Sequence, residues 1–207
     1  MEKKKLIIVI LGAKKIRPHY HWLKKAFIFL YNKLGLSALS SWQLEAKWKE
    51  NFYSGDREVI YLHWGRGISS LSRFLALRKL KKIIKEYQNT HDIYLIGHSL
   101  GGEVALEACN IFDGIIKKAI LVFSVNQRKN IKIKKTKIVN IYSPVDFFVQ
   151  TVIRVLAPLT GNQKLIGNNI ANISLNEFRH EELFSNKKIS GGKFNGKTVP
   201  QMINDLI

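Results

Sequence analysis

A chain of 207 residues with 46% apolar side chains is long enough to close one full hydrophobic core and holds no low-complexity tract. Its 34 Lys and Arg outnumber 15 Asp and Glu, leaving a formal net charge of +19, and its single cysteine excludes an internal disulfide. The charge admits two readings: a solvated basic surface reflecting Lys-, Ile- and Asn-rich composition, or attraction to anionic membranes and polyanions.

Taken in chain order, the first apolar run is 6–11. It is too short for a typical signal-peptide core, and Lys14 and Lys15 follow it without a small-residue cleavage pattern, so a buried strand is expected. No run approaches the ~20 apolar residues of a membrane span, and the expected setting is cytoplasmic. The stretch 14–56 is longer than a crossover helix needs. It carries Trp22, Phe27, Phe29, Trp42 and Trp48 among lysines. Either it is a crossover helix with a long loop, or a small cap or lid touching lipid. Further strands are expected at 58–63, 92–97, 117–123, 137–142 and 171–175, most of them near-continuous apolar runs of the kind buried on both faces.

Between the strands lie helical patterns. Over 70–87, Leu71, Phe74, Leu75, Leu80, Ile83, Ile84 and Tyr87 are expected to form one stripe with the basic residues facing away. A helix follows 92–97 and carries Cys109 on its apolar side, where a buried core thiol is expected. A last helix is predicted over 199–207, with Val199, Met202, Ile203 and Leu206 at helical spacing. Strand–helix alternation of this kind predicts one α/β domain: a mostly parallel sheet of about six strands with helices on both faces.

The segment Gly97-His98-Ser99-Leu100-Gly101-Gly102 joins the third of these strands to its helix. A bare Gly-x-Ser-x-Gly arises by chance in about one chain of this length in fifteen. The flanking strand, the helix and the extra Gly102 make this one a nucleophile elbow, whose tight turn needs glycines where strand and helix approach. At this point the chain resembles the α/β-hydrolase superfamily, specifically its small serine esterases and lipases, and the resemblance covers most of the chain. It implies a triad in the order serine, acid, histidine. Ser99 would be the nucleophile. Asp146, in Ser143-Pro144-Val145-Asp146 after the strand 137–142, would be the acid, with Asp113 or a glutamate as alternatives. His180, after the strand 171–175, would open the final helical segment as the base. His19, His21, His63 and His91 precede the serine, and His98 lies inside the elbow, turned away from it.

The resemblance also implies an oxyanion hole of backbone N–H groups from Leu100 and from Gly12 or Ala13, although the loop after the first strand lacks a His-Gly-Gly-Gly motif. Trp64-Gly65-Arg66-Gly67 resembles a feature of some small hydrolases, but the preferred reading is a Gly-stabilised turn with its tryptophan packed on the core. The histidines and the one cysteine lack metal-ligand spacing, and no phosphate-cradling motif occurs, so neither metal nor cofactor is expected. The expected function is hydrolysis of small-molecule or lipid esters through an acyl-enzyme. Peripheral contact with anionic membranes is a further expectation, and nucleic acid is not an expected partner. A thioesterase or acyltransferase with the same triad, or a non-catalytic basic binding protein, are the competing readings.

Overall fold

A computed structural model of the chain describes residues 3–11, 41–52, 57–64, 70–124, 131–144, 164–178 and 180–207. Six strands form one parallel sheet: β1 (Lys4–Ile10), β2 (Arg57–Leu62), β3 (His91–His98), β4 (Ile116–Val122), β5 (Lys137–Tyr142) and β6 (Ile170–Ser174). Their spatial order is β2-β1-β3-β4-β5-β6. Among the described residues four α-helices accompany them: α1 (Ser41–Phe52), α2 (Ser70–Tyr87), α3 (Leu100–Ile111) and α4 (Val199–Leu206). Every strand expected from the apolar runs is present. Several extend one or two residues further at their N-terminal ends, because ladder bonds are made by backbone and tolerate polar side chains: Lys4 pairs with His91 and Lys5 with Asp92.

Side chains alternate across the sheet and supply two cores. Leu6, Ile8, Ile10, Ile93, Leu95, Ala119 and Leu121 face one side, with Ala76, Leu77, Leu80 and Ile84 of α2 and Val104, Ala105, Ala108 and Cys109 of α3. Ile7, Val9, Ile96, Ile120, Val122, Val139 and Ile141 face the other, with Trp48 of α1 and Val199, Met202 and Ile203 of α4. Cys109 is the buried core thiol expected, and burial pushes its ionisation upward, away from reactivity. Trp64 is also core, its indole N–H donating to the Leu11 carbonyl, which agrees with the reading that packs the tryptophan on the core; residues 65–67 lie outside the described residues. No helix among the described residues is long and apolar enough to cross a membrane.

One expectation is corrected. In α2 the N-terminal half of the stripe is not buried: Leu71, Phe74 and Leu75 are exposed, on the same side as the basic residues. Ala76 and Leu77 take their place in the core, because they share the azimuth of Leu80 and Ile84 and the first three do not. In 14–56, residues 41–52 are a helix whose Trp48 is fully buried, edge-on to Phe184 with ring centroids 5.2 Å apart. Trp48 thus packs as core; residues 12–40, with Trp22, Phe27 and Phe29, and residues 53–56 lie outside the described residues.

The order β2-β1-β3 reverses the direction of sheet growth between β1 and β3. Open α/β sheets bind ligands at the C-terminal strand edge beside such a switch point. β3 ends there on His98, and Ser99 follows it.

Candidate active site

Ser99 links β3 directly to α3 with φ 54° and ψ −126°, in a region that L-residues with side chains rarely occupy. Its backbone is held on three sides. Its N–H donates to the Val122 carbonyl at 3.1 Å, and its carbonyl accepts from the Gly102 N–H at 3.0 Å and from the Ser124 hydroxyl at 3.3 Å. The turn also needs its glycines. A Cβ on Gly97 would stand 2.6 Å from the Gly102 Cα, one on Gly101 would stand 2.0 Å from the Ile10 carbonyl oxygen, and one on Gly102 would stand 1.8 Å from the Ser124 hydroxyl oxygen. Strand β3, helix α3 and the C-terminal end of β1 thus meet at contact distances that only hydrogen side chains permit.

A serine at a helix N-terminus ordinarily turns its hydroxyl back to cap the helix. Ser99 makes no such bond, and its side chain is half-buried at the sheet edge. Leu100, buried, is the first residue of α3, where the helix ladder leaves N–H groups without intrahelical partners and the helix dipole is positive. Gly101 packs against the carbonyls of Ile10 and Leu11, so the chain leaving β1 passes beside the elbow. Gly12 and Ala13, the expected second oxyanion donors, come next in the chain but lie outside the described residues.

The two remaining triad candidates follow the ends of β5 and β6. Asp146 itself lies outside the described residues, but its loop begins at Ser143, which is fully buried and donates its hydroxyl to the Phe178 carbonyl at 2.5 Å. His180, two residues past Phe178, opens a 3-10 turn (His180–Phe184) rather than α4; its side chain lies outside the description. A hydrogen bond from the Leu175 N–H to the Tyr142 carbonyl, 2.9 Å, joins the same two strand ends. The segments leading to both candidates are therefore tied together at the edge that carries Ser99.

Asp113, the alternative acid, stands at the opposite edge. It precedes β4, whereas Ser99 bonds to the last residue of that strand, six residues or about 20 Å beyond Ile116. Its carboxylate accepts the backbone N–H groups of Lys134, Lys135 and Thr136 at 2.8–2.9 Å. Desolvation alone would raise its pKa, but the bonds from Thr136, Lys134 and Lys135 outweigh it and hold the group below its ordinary value. Asp113 is a turn-capping residue. His98 is buried in the sheet with its ring 6.4 Å from that of Trp48, in the core of the α1 side.

Ser124 and Ser143 are the residues that sequence analysis missed. Both are fully buried hydroxyls within two residues of a strand's C-terminal end, and that position, a small polar residue closing an apolar run, was their one visible signal.

No protein-family model matches the sequence, and no curated protein matches it either. Solved structures do match in shape. A carboxylesterase from Mesorhizobium loti is similar with a TM-score of 0.53 and 9% identity, over 99% of this chain and 88% of that one. An α/β hydrolase enzyme from the metagenome of sediments of the Mar Chica lagoon, Morocco, gives 0.52 and 13%, over 99% and 89%. The Francisella virulence factor BioJ gives 0.53 and 10%, over 100% and 76%. These likenesses, with the strand order and the strained turn at Ser99, establish that the chain has the α/β-hydrolase fold.

Proposed function

We propose that the chain is a serine hydrolase that cleaves carboxylic esters through an acyl-enzyme. The observation that carries this reading is the left-handed backbone of Ser99, with a hydroxyl that does not cap the helix it begins. Backbone strain of this kind costs about 1–3 kcal/mol and survives where the surroundings enforce it, most often at functional sites.

In the proposed reaction the Ser99 hydroxyl oxygen adds to the ester carbonyl carbon while the imidazole of His180 accepts its proton. The carbonyl oxygen becomes an oxyanion, bound by the N–H of Leu100 and by that of Gly12 or Ala13. Collapse breaks the carbon–oxygen bond to the alcohol, which leaves with the proton from His180. Water then repeats the sequence on the acyl-enzyme, releasing the acid and restoring the serine. Asp146 orients the imidazole and stabilises its charged form. The structure supports this assignment through the joined β5 and β6 ends, which carry the segments of the acid and the base.

Labelling with a fluorophosphonate tests the reading. Wild type is expected to label, Ser99→Ala not at all, and His180→Ala and Asp146→Asn far more slowly. Turnover of p-nitrophenyl butyrate should fall by about 10²–10⁴-fold on loss of the base. An unlabelled wild type, or Ser99→Ala labelling as well as wild type, overturns the proposal. Butyryl oxygen ester and butyryl thioester, compared at equal concentration, separate esterase from thioesterase chemistry.

A further inference from the structure

The outward side of α2 has a composition that core packing does not explain. Leu71, Phe74 and Leu75 are 64%, 60% and 45% exposed. Arg78, Lys79, Lys82 and Lys85 are exposed too. At about 100° per residue these seven fall within an arc of about 140°, opposite the buried side of Ala76, Leu77, Leu80 and Ile84. Along the axis they are sorted. The three apolar side chains occupy the first two turns and the four cations follow over about 10 Å. Glu86 is the one acidic residue of the helix.

The apolar end lies at the catalytic edge of the sheet. α2 follows β2 and returns alongside the sheet, so its first turns stand beside the strands' C-terminal ends. Arg73, on the inward side, pairs with Glu103 in the first turn of α3, four residues after Ser99. The exposed apolar cluster and the elbow are thereby held in one layer.

We propose that this side of α2 docks the protein on an anionic lipid bilayer. Leu71, Phe74 and Leu75 enter the acyl boundary, and Arg78, Lys79, Lys82 and Lys85 meet headgroup phosphates. The two chemistries on one helix side select this occupant. A nucleic-acid backbone offers phosphates but nothing to receive three adjacent apolar side chains. A second copy of a chain of net charge +19 would set this basic side against another of its kind. A bilayer with anionic headgroups supplies both an apolar interior and complementary charge, each cation strengthening partitioning about fivefold. The proposal does not depend on Ser99 being a nucleophile.

Co-sedimentation with vesicles tests it, using the whole protein at roughly 0.1 M salt, where surface charges act over about 10 Å. Wild type is expected to bind vesicles of equal phosphatidylcholine and phosphatidylglycerol and not vesicles of phosphatidylcholine alone. The variants L71S/F74S/L75S and R78Q/K79Q/K82Q/K85Q should each weaken binding at least about tenfold. A charge-matched control, K132Q/K134Q/K135Q/K137Q, removes four exposed cations at the opposite sheet edge and should change it by no more than about threefold. Circular dichroism verifies folding of each variant, and Phe74→Ser alone replaces the triple variant if that one does not fold. The proposal is overturned by absence of binding to the anionic vesicles, by an apolar variant that binds as wild type, or by a control that loses as much as the α2 cation variant. A wild-type dimer that L71S/F74S/L75S dissociates, seen by light scattering, would make a second copy the occupant and equally overturn it.

Discussion

Around Ser99 each neighbour is chosen by distance. Gly101 faces a backbone carbonyl at 2.0 Å from its would-be Cβ, and Gly102 faces the Ser124 hydroxyl oxygen at 1.8 Å. Backbone cannot rotate away, whereas a side chain can be replaced. Gly101→Ala should therefore destabilise the protein by about 1–3 kcal/mol or more, and Gly102→Ala by a similar amount that Ser124→Gly largely relieves. Urea unfolding of the single and double variants measures both. Rescue of Gly101→Ala by Ser124→Gly would contradict the geometry. Ser143 gives a second prediction at this scale. Its hydroxyl is the donor to the buried Phe178 carbonyl, and alanine leaves that acceptor without it. Ser143→Ala should cost about 1–3 kcal/mol. If His180 is the base, Ser143→Ala should also lower kcat more than it raises KM, because it loosens the segment that carries the base.

At the scale of elements, the connections are pinned by polar groups at their ends. α4 opens on a capping box in which Thr198 and Gln201 satisfy each other's backbone N–H groups, at 2.8 and 3.4 Å. Thr198→Ala should cost about 1 kcal/mol, seen as a lower Tm. The 131–136 connection is pinned by Asp113, whose three backbone bonds hold its carboxyl below the ordinary value. A folded-state pKa below the unfolded value of about 3.9 means that the ionised group stabilises the fold above that pH. This contribution is lost as pH falls through the folded value. Thermal melts from pH 7 down to pH 2.5 should show a shallower acid slope for Asp113→Asn than for wild type, with activity at neutral pH little changed. An unchanged slope would show that Asp113 is not among the groups that bind protons on acid unfolding.

For the whole molecule the net charge of +19 sets a self-repulsion that salt screens. At the lower sheet edge Lys118 is held below its ordinary pKa, chiefly by desolvation and then by Lys137, Lys5 and Lys193. A group so depressed binds its proton more readily in the unfolded chain, so its charged form opposes folding. Raising pH through its folded value relieves this cost. Melting temperature should rise when salt goes from low to physiological concentration. A fall would mean that attractive pairs such as Lys197–Asp205 and Lys187–Glu182 dominate instead.

The apolar runs by themselves determined six strands and their parallel class, because a strand buried on both faces must be apolar almost throughout, and that signal is local. The Gly-x-Ser-x-Gly segment determined the strained turn for the same reason: close approach within six residues is legible in glycine. Helix faces were legible only in part. Over 70–87 several apolar stripes fit helical spacing, and the choice between Leu71, Phe74 and Leu75 and Ala76 and Leu77 was made by the sheet against which α2 packs. Asp113 and the two buried serines were likewise decided by tertiary structure. Which end of the sheet a residue occupies depends on strand order and register, and these are set by contacts between residues distant in the chain.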